Sequence, residues 1–93
     1  MTRIKLAPSH SLIISAGAAK ALKASNQQPS EFVERYELGD WGEVSAQDFM
    51  ANAEALECGS HVVARYPLAN GQVLEVGTHG DRSAIVMQME NEF

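Results

Sequence analysis

The 93-residue sequence contains a single cysteine, Cys58, so no disulfide can form within the chain. One cysteine is typical of a reducing compartment and excludes the class of small secreted domains held together by disulfides. No apolar run approaches the roughly 20 residues of a membrane-spanning helix, and the first ten residues lack the apolar segment of a signal peptide. These absences predict a cytoplasmic protein.

The residues that usually bind metals are few and badly spaced. His10, His61 and His79 form no paired motif, and no second cysteine accompanies Cys58. Cys58 falls at the end of a predicted helix, where the negative end of the helix dipole disfavours a thiolate. We therefore expect no metal and no cofactor, and we expect Cys58 to be a small buried apolar residue.

Catalytic patterns are equally scarce. His79, Asp81 and Ser83 are the residue types of a hydrolase triad, but such close neighbours rarely aim three side chains along one proton path. The segment 77–80 contains two glycines but lacks the lysine and the following helix of a phosphate-binding loop. The sequence thus favours a role other than catalysis.

The composition is that of an ordinary globular chain, with 45% hydrophobic and 20% charged residues. A chain of this length rarely divides into two cores that are each large enough to be stable. We expect one domain over residues 1–93.

Charge is distributed unevenly around a net value of −5. Residues 1–30 contain four basic residues and no acid, whereas residues 31–93 contain three arginines and twelve acids. An acidic surface repels phosphate, which disfavours broad nucleic-acid binding and leaves only a small basic patch. Faces of opposite charge could instead steer self-association or binding to a protein partner. The basic patch consists of Arg3, Lys5, Lys20 and Lys23.

Two helices are predicted in the first half of the chain. Ser15 is a suitable N-cap for a helix that starts near Ala16, and Pro29 suits the first turn of a second helix that Gly39 stops. The expected core-facing positions are Ala18, Ala19 and Leu22 in the first helix and Phe32, Val33 and Tyr36 in the second.

A third helix is predicted over residues 46–57. Ser45 and Asp48 resemble a capping box, and Gly59 suits a left-handed C-cap. Its apolar residues recur at helical spacing and should face the core: Ala46, Phe49, Met50, Ala53 and Leu56.

The pattern then changes to the alternation of β-strands. In residues 61–66 and 72–77, successive side chains alternate between two faces, as in β-strands. Between these segments lies Asn70-Gly71, a pair that supplies the positive backbone angles of a tight hairpin turn. A further strand is predicted over residues 83–89, and the apolar run of residues 11–15 reads as a buried strand. We expect an α+β fold with three helices on one face of a three- to four-stranded, mainly antiparallel sheet. The N-terminal strand should add to one edge of the sheet.

The loop of residues 38–43 holds the only tryptophan, Trp41, between two glycines. Trp41 could fold inward as a plug between helix and sheet, with its indole N–H bonded to a backbone acceptor. Alternatively, Trp41 could present a flat contact surface to a partner or ligand, with Asp40 beside it. Both interpretations remain open at this point.

The turn before the last strand contains Asp81 and Arg82. Such residues usually bond local backbone amides and nearby carboxylates, but Arg82 could instead bind an anionic ligand or an acidic partner. Asp40 and Asp81 could also converge as an acid pair. Asp40, Trp41, Asp81 and Arg82 are therefore the candidate ligand or partner contacts.

Several of these motifs recur together in one protein family. The chain resembles small proteins carried on plasmids, phages and integrative elements, most strongly over residues 38–83. The resemblance implies a place in the accessory gene pool and carries no assigned activity. The matching positions are Gly39-Asp40-Trp41-Gly42, Asp48, Asn52, Ala55-Leu56, Gly59 and Asp81-Arg82-Ser83.

Two segments depart from that family pattern. This chain has Thr78-His79-Gly80 where relatives usually have Thr-Glu-Ala, and its last five residues replace a common Leu-Pro-Glu-Glu-Tyr ending. The main hypothesis is a non-enzymatic protein-interaction module or homo-oligomer from a mobile element. The alternative is a small-molecule binder or enzyme whose pocket lies near Asp40, Trp41, Asp81 and Arg82.

Overall fold

A computed structural model describes residues 11–59, 61–78 and 83–90. Three helices and four strands form the α+β fold that the sequence predicts. In chain order they are β1 (Ser11–Ile14), α1 (Ala16–Ala24), α2 (Pro29–Glu37), α3 (Ala46–Cys58), β2 (Val63–Pro67), β3 (Val73–Thr78) and β4 (Ala84–Met89).

The four strands make one sheet in the order β1-β4-β3-β2. The pairs β2–β3 and β3–β4 are antiparallel, as expected for consecutive strands joined by short connections. β1 joins the free side of β4 and runs parallel to it, with Ile13 level with Val86. The N-terminal strand is therefore an edge strand, and the opposite edge is β2.

One face of the sheet forms the core together with the helices. Strand residues alternate, so every second side chain of β2, β3 and β4 points to this face. All three helices add buried residues to the same core cluster, although α3 adds only one. The large, fully buried side chains are Phe32, Tyr36, Val62, Tyr66, Leu74, Val76, Ile85 and Met87.

The helix ends form as the sequence predicts. The Ser15 hydroxyl accepts the N–H of Ala18 at 3.0 Å, and the Ser45 hydroxyl accepts the N–H of Asp48 at 3.1 Å. Gly59 follows α3 with a φ of 76°, the left-handed conformation that favours glycine. Local capping chemistry thus fixes these boundaries.

The hairpin turn between β2 and β3 differs from the prediction in the backbone of Asn70. Of the pair Asn70-Gly71, only Gly71 has a positive φ. The N–H of Gly71 bonds to the Leu68 carbonyl, and the N–H of Leu68 bonds to the Gln72 carbonyl, which closes a three-residue loop. The Asn70 side chain accepts the N–H of Gln72, so Asn70 stabilises the turn although its own backbone is not left-handed.

The predicted apolar stripe of α3 is wrong except at Leu56, which is half-buried against the core. Phe49 is 55% exposed and Met50 is 72% exposed, whereas the buried residues of α3 are Asn52 and Ala55. The reason is that Asn52 bonds to the backbone of β2, which turns the Asn52 side of α3 inward. Cys58 is exposed, which also contradicts the prediction of a buried residue.

A smaller correction concerns α1, which buries Ala21 where Ala19 was expected. Ala18 and Leu22 are buried as predicted, and Lys20 and Lys23 are exposed. None of the helices within the described residues combines the length and the apolarity that crossing a bilayer requires.

Candidate functional site

The loop that carries Trp41 lies along the outer edge of β2 and pairs with it. The N–H of Arg65 donates to the Trp41 carbonyl at 3.0 Å, and the N–H of Glu43 donates to the Arg65 carbonyl at 2.8 Å. Gly42 thereby forms a short parallel bridge with Arg65. The loop supplies hydrogen-bond partners that an edge strand otherwise takes from water or from another chain.

Gly42 is required by this close approach. A Cβ atom at this position would lie 2.2 Å from the Arg65 carbonyl oxygen and 2.7 Å from the Tyr66 ring. The φ of Gly42 is also positive, at 70°, which side chains rarely tolerate. The second glycine of the motif therefore allows backbone-to-backbone contact with β2.

Asp40 holds the same loop through both of its carboxylate oxygens. Oδ1 accepts the N–H of Gly42 at 3.1 Å, and Oδ2 accepts the Nε–H of Arg35 from α2 at 2.8 Å. The hydrogen bond from Arg35 holds the pKa of Asp40 below its ordinary value, although burial opposes this shift. The same bond raises the pKa of Arg35.

Tyr66 connects the loop to the core. Its hydroxyl donates to the Asp40 carbonyl at 2.6 Å, and its ring lies 5.3 Å from the Phe32 ring. The Arg35 guanidinium carbon lies 4.5 Å from the Tyr66 ring centroid, a cation–π distance. Burial is the main cause of a raised Tyr66 pKa, so the hydroxyl stays protonated as a donor.

Trp41 is enclosed, with only 5% of its surface exposed. Its ring meets Phe49 of α3 edge to face, with centroids 5.2 Å apart. Among the residues that the structure describes, none provides the expected backbone acceptor for the indole N–H, and Nε1 is buried. Trp41 thus occupies the inward position of the plug interpretation, and a contact role for Asp40 and Trp41 remains a prediction.

Asn52 completes the covering of the β2 edge. Its Nδ2 donates to the Val63 carbonyl at 2.7 Å, and its Oδ1 accepts the Val63 N–H at 3.0 Å. The next outward position after Arg65 is Pro67, which has no N–H to satisfy. The outward N–H groups of β2 are therefore bonded at Val63 and Arg65, and Pro67 has no N–H that another strand could bind.

Sequence reasoning recognised Asn52 as part of a family pattern but assigned it no role. The available signal was a polar amide on the side of α3 that also carries Ala55, one turn away. An amide has both a donor and an acceptor, so it can bond both backbone groups of one edge residue. The partner strand was not identifiable from spacing alone.

The opposite edge, β1, is bare within the described part of the chain. Ser11 and Ser15 donate their N–H groups to the Ser83 and Met87 carbonyls, which orients every second residue toward β4. The backbone groups of Leu12 and Ile14 therefore point away from the sheet. No described residue bonds to them.

β1 was expected to be a buried strand and is mostly exposed, so its side chains add an apolar surface to this free edge. Leu12 is 44% exposed and Ile13 is 50% exposed. Ile13 also begins a row across the open face of the sheet, in register with Val86, Gly77 and Val63. An unpaired backbone flanked by apolar side chains is a common binding surface for another strand.

Some candidate residues lie outside the described part of the chain: Asp81 and Arg82, and Arg3 and Lys5 of the basic patch. The predicted pocket and acid pair that include Asp81 or Arg82 therefore remain predictions. In residues 11–59, 61–78 and 83–90, no group of three or more histidine, cysteine or acidic residues is placed to hold a metal ion.

The chain was compared with protein-family models, with curated proteins and with solved structures, and no match was found in any of the three comparisons. The geometry of the sheet edges is therefore the basis for a functional interpretation.

Proposed function

We propose that this chain is a small, non-enzymatic protein-interaction module that receives a strand from another polypeptide at the free edge of β1. The observation that carries the proposal is the contrast between the two sheet edges. The β2 edge is covered by the Trp41 loop and by Asn52, whereas no described residue pairs with the outward groups of β1.

Strand addition suits the chemistry of β1. Leu12 and Ile14 each offer one N–H donor and one C=O acceptor in the direction away from β4. An added strand would satisfy these groups and cover part of the Leu12 and Ile13 side chains, which lie on opposite faces. Backbone bonds would supply affinity, and neighbouring side chains would supply selectivity.

The contacts of the Trp41 loop indicate that its polar and aromatic residues stabilise the structure. Asp40 is engaged by Arg35 and by the Gly42 N–H, and Trp41 is enclosed against Phe49. These contacts favour an interaction module over an enzyme built on that loop. The resemblance to proteins of plasmids, phages and integrative elements supports a cytoplasmic accessory role in a mobile element.

The test uses a nine-residue probe peptide of alternating valine and threonine with a central phenylalanine flanked by glutamines. We expect this peptide to shift the NMR amide signals of Leu12 and Ile14 in the full chain. Leu12→Pro removes an N–H that points away from β4, so the fold should survive and peptide binding should be lost. Leu12→Ala keeps the N–H and should retain binding.

Self-association gives a second readout of the same edge. Dimer formation seen by sedimentation at high concentration, and removed by Leu12→Pro, would support the proposal because a second copy can supply the strand. A chain that binds no probe peptide and stays monomeric would contradict it. Equal peptide binding by the wild type and by Leu12→Pro would also contradict it.

A further inference from the structure

We propose that the strand received by β1 comes from an acidic, extended segment of another protein, with an apolar side chain entering the cavity beside Ile14 and a carboxylate meeting Lys23. This inference rests on the proposed function, because it names the partner of the same edge.

A cavity of about 270 Å³ lies beside the free edge. Its apolar lining comes from Ile14, Ala19 and Leu22, and Lys23 and Asn26 add polar groups. The volume is just below the range of about 300–1,000 Å³ that is typical of pockets for drug-sized ligands. A single large side chain therefore suits the cavity better than a complete small-molecule ligand does.

Ile14 connects the cavity to the edge. Its backbone groups point away from β4, its side chain packs against the core, and Ile14 is one of the residues that line the cavity. Directly paired residues of neighbouring strands place their side chains on the same face of a sheet. The residue that pairs with Ile14 would therefore place its side chain next to the cavity.

The charge around this cavity favours an acidic partner. Residues 11–30 contain Lys20 and Lys23 and no acid, and none of the described residues that line the cavity is acidic. The Glu31 carboxylate already accepts a hydrogen bond from the lining residue Gln27, at 3.2 Å. Within the described residues, Lys23 is exposed and forms no ion pair. A carboxylate one or two residues from the apolar side chain could reach this ammonium group.

A second copy of the chain matches this chemistry less well. The segment Ser11–Ile14 could pair with itself, but it contains no charged residue and would leave Lys23 without a carboxylate. Self-pairing would also bring the basic α1 surfaces of two copies toward one another, and like charges disfavour that approach. An acidic segment from a different protein would bond to the outward backbone groups of β1 and would also provide a carboxylate for Lys23.

The experiment compares three probe peptides that differ only in charge. Each has nine residues of alternating valine and threonine with a central phenylalanine, which is flanked by glutamate, glutamine or lysine. We expect affinity for the full chain at low ionic strength to fall from glutamate to glutamine to lysine, by about two- to fivefold per step. Added salt should reduce these differences.

Matched charge reversals locate the effect. Lys23→Glu should reverse the peptide order, because it places a carboxylate beside the cavity. Lys20→Glu makes the same change in net charge on the same helix, at a residue that does not line the cavity, and should change the order less than Lys23→Glu does. If both variants change the order equally, overall charge explains the preference and the inference is overturned.

The remaining outcomes separate this inference from the proposed function. Equal binding of the three peptides, abolished by Leu12→Pro, would overturn the acidic partner and leave strand addition supported. Self-association that is lost in Leu12→Pro, without peptide binding, would identify a second copy as the occupant and also overturn the inference. A monomer that binds no peptide would contradict both proposals.

Discussion

At the scale of single residues, the Trp41 loop is held in place by backbone geometry and one ion pair. Gly42 permits contact with Arg65, and Asp40 fixes the turn that brings Gly42 there. Asp40 and Trp41 were expected either to support the structure or to contact a ligand, and their observed contacts are with the protein itself. The sequence identified the important loop, but it could not reveal that β2 is its partner.

Gly42→Ala should destabilise the protein strongly. The left-handed backbone costs an alanine about 1–2 kcal/mol, and the contact with the Arg65 carbonyl adds about 1–3 kcal/mol. Gly71→Ala is the matched control, because Gly71 has a φ of 89° but no atom of the described residues lies within 4 Å of the added Cβ. Urea unfolding should show the larger loss for Gly42→Ala, and equal losses would contradict the close approach.

Asp40 should add a pH-dependent contribution to stability. Because its pKa is lowered in the folded state, the contribution is present above the ordinary value of 3.8 and is lost as pH falls through the folded pKa. Both partners are more than one-third exposed, so we expect less than about 1 kcal/mol.

Asp40→Asn supplies the comparison for this effect, since an asparagine oxygen can still accept the Gly42 N–H. The stability difference between the wild type and Asp40→Asn, measured by urea unfolding, should shrink between about pH 6 and about pH 2. A difference that is independent of pH over this interval would show that the ion pair contributes no pH-dependent stability.

At the scale of elements, sequence patterns were most informative where local chemistry decides the structure. The caps at Ser15 and Ser45 and the alternation in β4 gave the boundaries and the buried face. The orientation of α3 was predicted wrongly, because its apolar residues suggested one side and the bonds of Asn52 to Val63 impose another. The spacing of apolar residues cannot reveal that a polar residue faces inward to bind a strand edge.

Asn52→Leu should weaken the attachment of α3 to β2. The substitution keeps a similar size but leaves the N–H and C=O of Val63 without their partners, at a cost of about 2–3 kcal/mol. Gln47→Leu, at an exposed position of the same helix, should cost less than about 0.5 kcal/mol. Chemical unfolding compares the two, and similar losses would show that the Asn52 bonds contribute little.

At the scale of the whole molecule, the sheet has two unlike edges. β2 is covered by the Trp41 loop, by Asn52 and by the placement of Pro67, which together block pairing with another chain. β1 is short and apolar, and its outward backbone groups have no partner among the described residues. The sequence predicted an edge position for β1 but could not show which neighbour it joins.

Residue-by-residue amide hydrogen exchange of the free, monomeric protein tests the unlike edges most directly. We predict strong protection of the Val63 and Arg65 amides, which bond to Asn52 and Trp41, and fast exchange at Leu12 and Ile14. The Ser15 amide, bonded to Met87, serves as the internal reference for β1. The proposed difference between the two edges would be contradicted if the Leu12 and Ile14 amides were as protected as the Ser15 amide. Unprotected Val63 and Arg65 amides would also contradict it.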